Sequence, residues 1–175
     1  MSEPVAASAP ASVPAVDSAK LEMLVDRLRG EQNLVAGLAA GVLGAAIGAG
    51  LWAVITVLIE AQIGWMAVGV GFLTGLGVRS FGHGLDKTFG AAGAVLALAG
   101  CVVGNILTVA ILVAREGEIA FTEILTRLNP GVAWELLAVT FSPMDVLFYG
   151  LAIYFGYKYS FRRVSPDELA RLLQA

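Results

Sequence analysis

The chain has 175 residues, of which 58% are hydrophobic and 14% charged, and its net charge is −3. Soluble domains carry about 25% charged residues, so this composition argues against a soluble globular protein. It has no basic cluster with interleaved aromatic residues, which excludes nucleic acid as an expected partner. One Cys and one His are too few for a metal site built from this chain alone, and we expect no cofactor.

The N-terminal region divides into a tail and a short helix. Residues 1–18 are rich in Ala, Pro and Ser, which predicts disorder. This tail lacks the basic start and apolar run of a secretory signal, so we expect the first apolar stretch to stay in the membrane. Residues 19–33 are predicted to form an amphipathic cytoplasmic helix, which either lies on the membrane surface or pairs with another copy. Its apolar side holds Leu21, Leu24, Val25 and Leu28.

Four apolar stretches between residues 34 and 161 predict a four-helix transmembrane domain. Crossing a bilayer takes about 20 apolar residues. The predicted spans cover residues 34–59, 63–81, 89–114 and 142–161. The connector Glu60-Ala61-Gln62 is so short that the first two spans are expected to be antiparallel neighbours.

Two shorter segments precede the fourth span. Residues 118–128 carry apolar side chains at helical spacing, which predicts an interfacial helix. Residues 131–141 are apolar but too short to cross the bilayer, so they are either interfacial or re-entrant. Ser142-Pro143-Met144-Asp145 has the pattern of a helix start, with a capping Ser, a Pro in the first turn and an acidic residue. Ser165-Pro166-Asp167-Glu168 repeats this pattern and predicts a cytoplasmic helix within residues 162–175.

The distribution of Lys and Arg predicts the orientation. Four spans would place nine of these residues on the side of both termini: Lys20, Arg27, Arg29, Arg79, Lys87, Lys158, Arg162, Arg163 and Arg171. Only Arg115 and Arg127 would fall on the other side. By the positive-inside rule, both termini are predicted to be cytoplasmic. The opposite face would then be acidic, and in a Gram-negative cell it would face the periplasm.

The glycines recur at four-residue spacing inside the predicted spans. Small residues at this spacing let helix backbones approach closely in lipid, where no hydrophobic effect drives helices together. The glycines predicted to pack helices are Gly37, Gly41, Gly44, Gly48, Gly71, Gly75, Gly93, Gly100 and Gly104. Glycine on more than one side of the second span predicts that neighbours enclose this helix. Flexible or pore-lining helices are the alternatives. A dinucleotide-binding turn is rejected, because no strand precedes these glycines.

Five polar residues at membrane depth or at span ends are candidate functional residues. Arg79 is either a headgroup anchor or, helped by His83 and Lys87, a gate or anion contact. His83 itself is either a mobile loop residue or a switch. Asn105 either forms a hydrogen bond between helices or contacts a substrate or ion. Glu60 is either a solvated turn residue or a proton-linked carboxylate. Asp145 is expected to cap a helix N-terminus.

Three stretches of the chain resemble a known family. They are IGWMAVGVGFLTGLGVRSFGHG, FGAAGAVLALAGCVVGNIL and MDVLFYGLAIYFGYKYSFR, together about a third of the chain. They are similar to a family of small bacterial multi-pass inner-membrane proteins that has no assigned activity. The resemblance implies a four-span protein of the bacterial inner membrane and carries over no catalytic residue.

The sequence therefore predicts an all-α polytopic membrane protein with four transmembrane helices and short amphipathic or interfacial helices. Its first functional hypothesis is a non-enzymatic structural or adaptor protein. This protein would assemble through its glycine-rich faces, as a homo-oligomer or with another membrane protein in the lipid bilayer. The second hypothesis is a small channel or transporter for an ion or small solute. No Ser/His/Asp set or pair of carboxylates is apparent, so we predict no enzymatic activity.

Overall fold

The computed structural model describes residues 18–60 and 63–165, and these residues form helices and connecting loops without any strand. In chain order the helices are α1 (Ser18–Gly30), α2 (Leu34–Ile59), α3 (Trp65–Gly82), α4 (Lys87–Glu116), α5 (Phe121–Arg127), α6 (Pro130–Thr140) and α7 (Pro143–Tyr159). The predicted disordered tail before residue 18, the turn residues Ala61 and Gln62, and the C-terminal helix from residue 166 lie outside the described residues. The fold class is therefore all-α in the described part.

The chain divides into two units, of which the smaller combines Met1–Gly30 with Val164–Ala175. Within this unit α1 buries Leu24 and Leu28, whereas Val25 is exposed. The buried side of α1 is therefore narrower than the predicted apolar side. A weak ion pair of 4.0 Å joins Arg29 and Asp26 on its exposed surface.

The larger unit, Glu31–Arg163, contains two helices that are long and apolar enough to cross a membrane, α2 and α4. At 1.5 Å per residue they are about 39 and 45 Å long, against a hydrocarbon core of about 30 Å. Helix α3 has 18 residues and α7 has 17, so both are slightly shorter than this core. Arg79 and five glycines also make α3 less apolar.

The helices of the larger unit pack around α3 and α4. Helix α2 packs against both of them, and so does α7, while α3 and α4 also contact each other. Helix α3 thus has three helical neighbours, in agreement with the glycines on more than one of its sides. The packing residues explain this arrangement, because small side chains let the helix backbones come close together.

The nine glycines predicted for helix packing all lie against another helix of the same chain. At each of them, an added Cβ would fall within 3.4 Å of an atom of that neighbour. The added Cβ at Gly44 would meet the Leu73 carbonyl oxygen at 2.6 Å, and at Gly71 it would collide with the backbone of Ala152. In contrast, Gly69 has nothing within 4 Å. The four-residue rows are therefore used for contacts within one chain.

One end of the larger unit, which we call the Gly82 end, is tied together by loop contacts. The Asn33 amide donates to the Gly82 carbonyl at 2.9 Å, and the Arg162 amide donates to the Gly84 carbonyl at 2.8 Å. The Arg162 guanidinium also forms an ion pair of 2.6 Å with Glu31. The segments before α2, after α3 and after α7 therefore meet at this end.

At the opposite end, which we call the Glu60 end, the chain passes through α5 and α6 before it enters α7. Residues 130–138 and α7 are bent by 114° relative to each other, so they form either a broken span or a re-entrant pair. The bend lies at Ser142, whose hydroxyl accepts from the Met144 amide at 3.3 Å. In turn, Asp145 accepts from the Ser142 amide at 2.7 Å. This reciprocal pairing is a capping box, which starts α7 where the sequence pattern predicts a helix start.

Candidate functional site

A cavity of about 590 Å³ opens between α2, α4 and α6 at the Glu60 end. Its wall combines polar and apolar side chains. The lining residues are Thr56, Glu60, Asn105, Thr108, Val109, Leu112, Arg115, Glu116 and Thr140. Because α2 and α4 run parallel from the Gly82 end, their C-terminal halves together form most of this wall.

Asn105 is the centre of a hydrogen-bond network at the inner end of the cavity. Its side chain is 1% exposed, and its amide nitrogen donates to the Tyr149 hydroxyl at 3.3 Å. The Thr140 hydroxyl lies 3.2 Å from Asn105 Oδ1 and 2.8 Å from the Leu136 carbonyl oxygen. A hydroxyl has a single proton, so it serves one of these two acceptors at a time. Asn105 thus joins α4 to α6 and α7.

Thr56 stands out on the α2 side of the cavity. The residue is 4% exposed, and its hydroxyl has no hydrogen-bond partner among the described residues. One turn earlier on the same helix, the buried Trp52 indole nitrogen also lacks a partner there. A buried polar group without a partner destabilises a protein by about 1–3 kcal/mol. The structure therefore carries unmet hydrogen-bonding capacity beside this cavity.

The opening of the cavity is charged. Glu60, Arg115 and Glu116 line it and are exposed. The backbone of Glu60 is left-handed, with φ of 53°, a conformation uncommon for residues other than glycine. The Arg115 guanidinium donates to the Val57 carbonyl oxygen at 3.4 Å, which links the ends of α2 and α4.

The unit is densely packed on the Gly82 side of the cavity. The rings of Trp52 and Tyr149 meet edge to face, with centroids 6.4 Å apart. They belong to a buried cluster that also includes Val70 and Cys101. The Cys101 thiol is 3.9 Å from the Ala67 carbonyl oxygen and is fully buried. These residues form a close-packed aromatic and aliphatic core within the unit.

The structure separates the five candidate polar residues into two groups. Glu60 and Asn105 line the cavity, and Asp145 lies one helical turn from Tyr149, at the start of α7. Arg79 and His83 lie at the Gly82 end instead. Within the described residues, the half-buried Arg79 guanidinium has no hydrogen bond or ion pair. His83 is exposed and ends α3 in the left-handed region, with φ of 49°.

Several cavity residues are not among the five candidate polar residues, namely Thr56, Thr108, Thr140, Arg115 and Glu116. A signal for some of them exists. Thr56 precedes Glu60 by one helical turn, and Thr108 follows Asn105 at the same kind of spacing. A polar stripe of this kind on an otherwise apolar helix marks one side as different from the lipid-facing sides. Thr140 gives no such signal, because its place depends on the bend before α7.

The chemistry that this arrangement can perform is recognition by hydrogen bonds. Three threonines and Asn105 belong to the lining, and the formal charges are at the opening. In the described part of the chain, no group of three His, Cys, Asp or Glu residues is placed to hold a metal ion. Comparison with known protein families, with curated proteins and with solved structures gives no match. The functional conclusion therefore rests on the geometry of this site.

Proposed function

We propose that the protein is a small transporter or channel of the bacterial inner membrane, and that it takes up a small solute or ion through the cavity at the Glu60 end. In this proposal the chain crosses the membrane four times, with α2, α3, α4 and α7 as the spans. Both termini are cytoplasmic. The cavity then opens on the non-cytoplasmic side.

The four-span topology is supported by charge and helix direction together. Helices α2 and α4 run parallel, and α3 and α7 return in the opposite direction, so the Gly82 end collects both chain ends of the larger unit. Within the larger unit, this end also has five of the seven Lys and Arg residues, namely Arg79, Lys87, Lys158, Arg162 and Arg163. An odd number of spans would put the chain ends on different sides and distribute these charges between them. Helices α3 and α7 are slightly shorter than the hydrocarbon core of the membrane. Each of them packs against α4, which is long enough to cross it.

The observation that carries the functional proposal is the polar cavity in the bundle. Buried polar groups are expensive in a membrane and are therefore functional candidates. The cavity lining combines buried neutral side chains with exposed charged ones such as Glu60, as an access pathway entered from the Glu60 end would. The nine packing glycines are covered within one chain, so they offer little surface to a partner. For this reason the geometry supports the second sequence hypothesis better than the first.

The proposal is tested by flux into liposomes that contain the purified full-length protein. The solutes are Na⁺, K⁺, protons, urea and glycerol. We expect selective flux of at least one of them, and we expect Val109→Trp to suppress it, because Val109 lines the cavity. Val95→Trp is the matched control, since Val95 lies on the same helix and is 67% exposed. Absence of flux for every solute, or equal flux in both variants, would overturn the proposal.

A structural or adaptor role is the second candidate. Gly50, Gly69 and Gly150 have nothing within 4 Å of an added Cβ, so these positions stay open to a second copy or another membrane protein. Gly69→Leu and Gly150→Leu would then reduce self-association or partner binding while the fold persists. Cross-linking in native membranes measures this effect. Unchanged cross-linking in both variants would contradict the role of these positions.

A further inference from the structure

We infer that the cavity binds a small uncharged solute that both donates and accepts hydrogen bonds, and that Thr56, Asn105 and Thr108 hold it. This inference rests on the proposed function and narrows it to a class of ligand. It is carried by the unmet hydrogen-bonding capacity of the inner wall and by the position of the charges.

Thr56 has a buried hydroxyl that does not follow the usual bonding pattern of threonine in a helix. Within a helix, a threonine hydroxyl usually donates to the carbonyl three or four residues earlier. Thr74 does so with Val70 at 2.7 Å, and Thr108 does so with Gly104 at 2.8 Å. Thr56 makes no such bond, although it is equally buried. Thr56 lines the cavity, so this unpaired hydroxyl is the group there whose donor and acceptor positions are both left unused by the described part of the chain.

Asn105 and Thr108 supply the rest of the site. An asparagine amide has two N–H donors and an oxygen with two lone pairs. The structure uses one donor for Tyr149 and at most one lone pair for Thr140. One donor and at least one acceptor position stay unused. The Thr108 oxygen, whose proton is engaged with Gly104, offers an acceptor one turn from Asn105.

The position of the charges favours an uncharged ligand. The inner lining residues Thr56, Asn105 and Thr108 are neutral, whereas the charged residues lie at the opening. An ion that leaves water for a buried site without a partner of opposite charge loses much of its solvation free energy. A neutral solute loses only hydrogen bonds, which the three side chains can replace. The volume of about 590 Å³ is large enough for a molecule the size of urea or glycerol.

The test uses the full-length protein in liposomes, with glycerol and urea as probes and osmotic light scattering as the readout. Thr56→Val removes the hydroxyl and nearly preserves the shape. A hydrogen bond contributes about 0.5–1.5 kcal/mol net, so we expect flux at low solute concentration to fall about 2–10-fold. Thr74→Val is the matched control, because Thr74 is buried outside the cavity. Equal flux in the two variants would overturn the inference while leaving transport itself intact.

A second measurement does not depend on flux. Leu112 lines the cavity, so Leu112→Cys is expected to react with a small thiol reagent, and wild-type protein, whose Cys101 is fully buried, is the blank. Glycerol should slow this reaction, raffinose of equal osmolality should not, and Thr56→Val should remove the protection. Protection without flux would support the site and contradict transport. Flux of Na⁺ or K⁺ with no glycerol or urea flux and no protection would overturn the ligand class and leave transport intact.

Discussion

Gly71 and Gly69 lie two residues apart on α3 and provide a sharp test of the packing. An added Cβ at Gly71 would collide with the Ala152 carbonyl oxygen and would lie 2.9 Å from the Ala152 Cα. These are backbone atoms, so they cannot rotate away, and α3 and α7 would have to separate. At Gly69 the added Cβ would meet nothing within 4 Å.

The two substitutions share one energetic term and differ in the other. Replacing Gly by Ala inside a helix stabilises it by about 1 kcal/mol through helix propensity. Overpacking a close contact destabilises by about 1–3 kcal/mol. Gly69→Ala is therefore expected to raise the free energy of unfolding by up to about 1 kcal/mol. Gly71→Ala is expected to be about 1–3 kcal/mol less stable than Gly69→Ala, because the shared propensity term cancels in this comparison.

The assay is reversible unfolding of the purified protein in mixed micelles by titration with sodium dodecyl sulfate, followed by circular dichroism. Gly104→Ala gives an intermediate case, because its added Cβ would lie 3.4 Å from the nearest atom, which is ordinary contact. We expect the order of stability Gly69→Ala, then Gly104→Ala, then Gly71→Ala. Equal stability of the Gly69 and Gly71 variants would refute the close approach of α3 and α7.

Three further predictions concern topology and the site. A reporter that is active only in the cytoplasm should work when fused after His83 or at the C-terminus and fail when fused after Gly117; an inactive C-terminal fusion would contradict four spans. Asn105→Leu should lower the free energy of unfolding by about 1–3 kcal/mol, because it leaves the buried Tyr149 hydroxyl without its Asn105 partner. The same detergent titration measures this, and unchanged stability would argue against the network. Asp145→Ala should destabilise the protein by about 0.5–2 kcal/mol, whereas Asp145→Asn keeps an acceptor for the Ser142 amide and should retain most of the stability. Equal losses of stability in both variants would show that the Asp145 hydrogen bond to Ser142 does not stabilise the protein.

The positions of the helices could largely be predicted from the sequence, because they depend on the length of each apolar segment and on the charges that flank it. Helix α2 covers residues 34–59, the uncharged stretch itself, and α7 starts directly after the Ser142 cap. The glycine spacing also has a local basis, since small residues four apart lie on one side of a helix. None of these patterns says which helix lies against which glycine row.

The candidate site was only partly accessible. Asn105 and Glu60 attract notice because a polar residue in or beside an apolar span is unusual. For Thr56 the only sequence signal is its spacing of one turn from Glu60, because threonine in a helix usually bonds to its own backbone. Its missing bond is visible only in three dimensions. Arg79 and His83 lie at the Gly82 end and do not line this cavity. Their predicted roles stay predictions.

The sequence by itself determined that this chain is helical and apolar, with long uncharged segments and a strong excess of basic residues on one predicted side. Those properties follow from each residue's own preference for water or hydrocarbon. Only the tertiary structure decided that the glycine rows close on one another within a single chain, and that α2, α4 and α6 leave a polar cavity at the Glu60 end. The physical reason is that packing depends on pairs of surfaces, and Thr56, Asn105 and Thr140 become neighbours of one cavity only when distant segments meet.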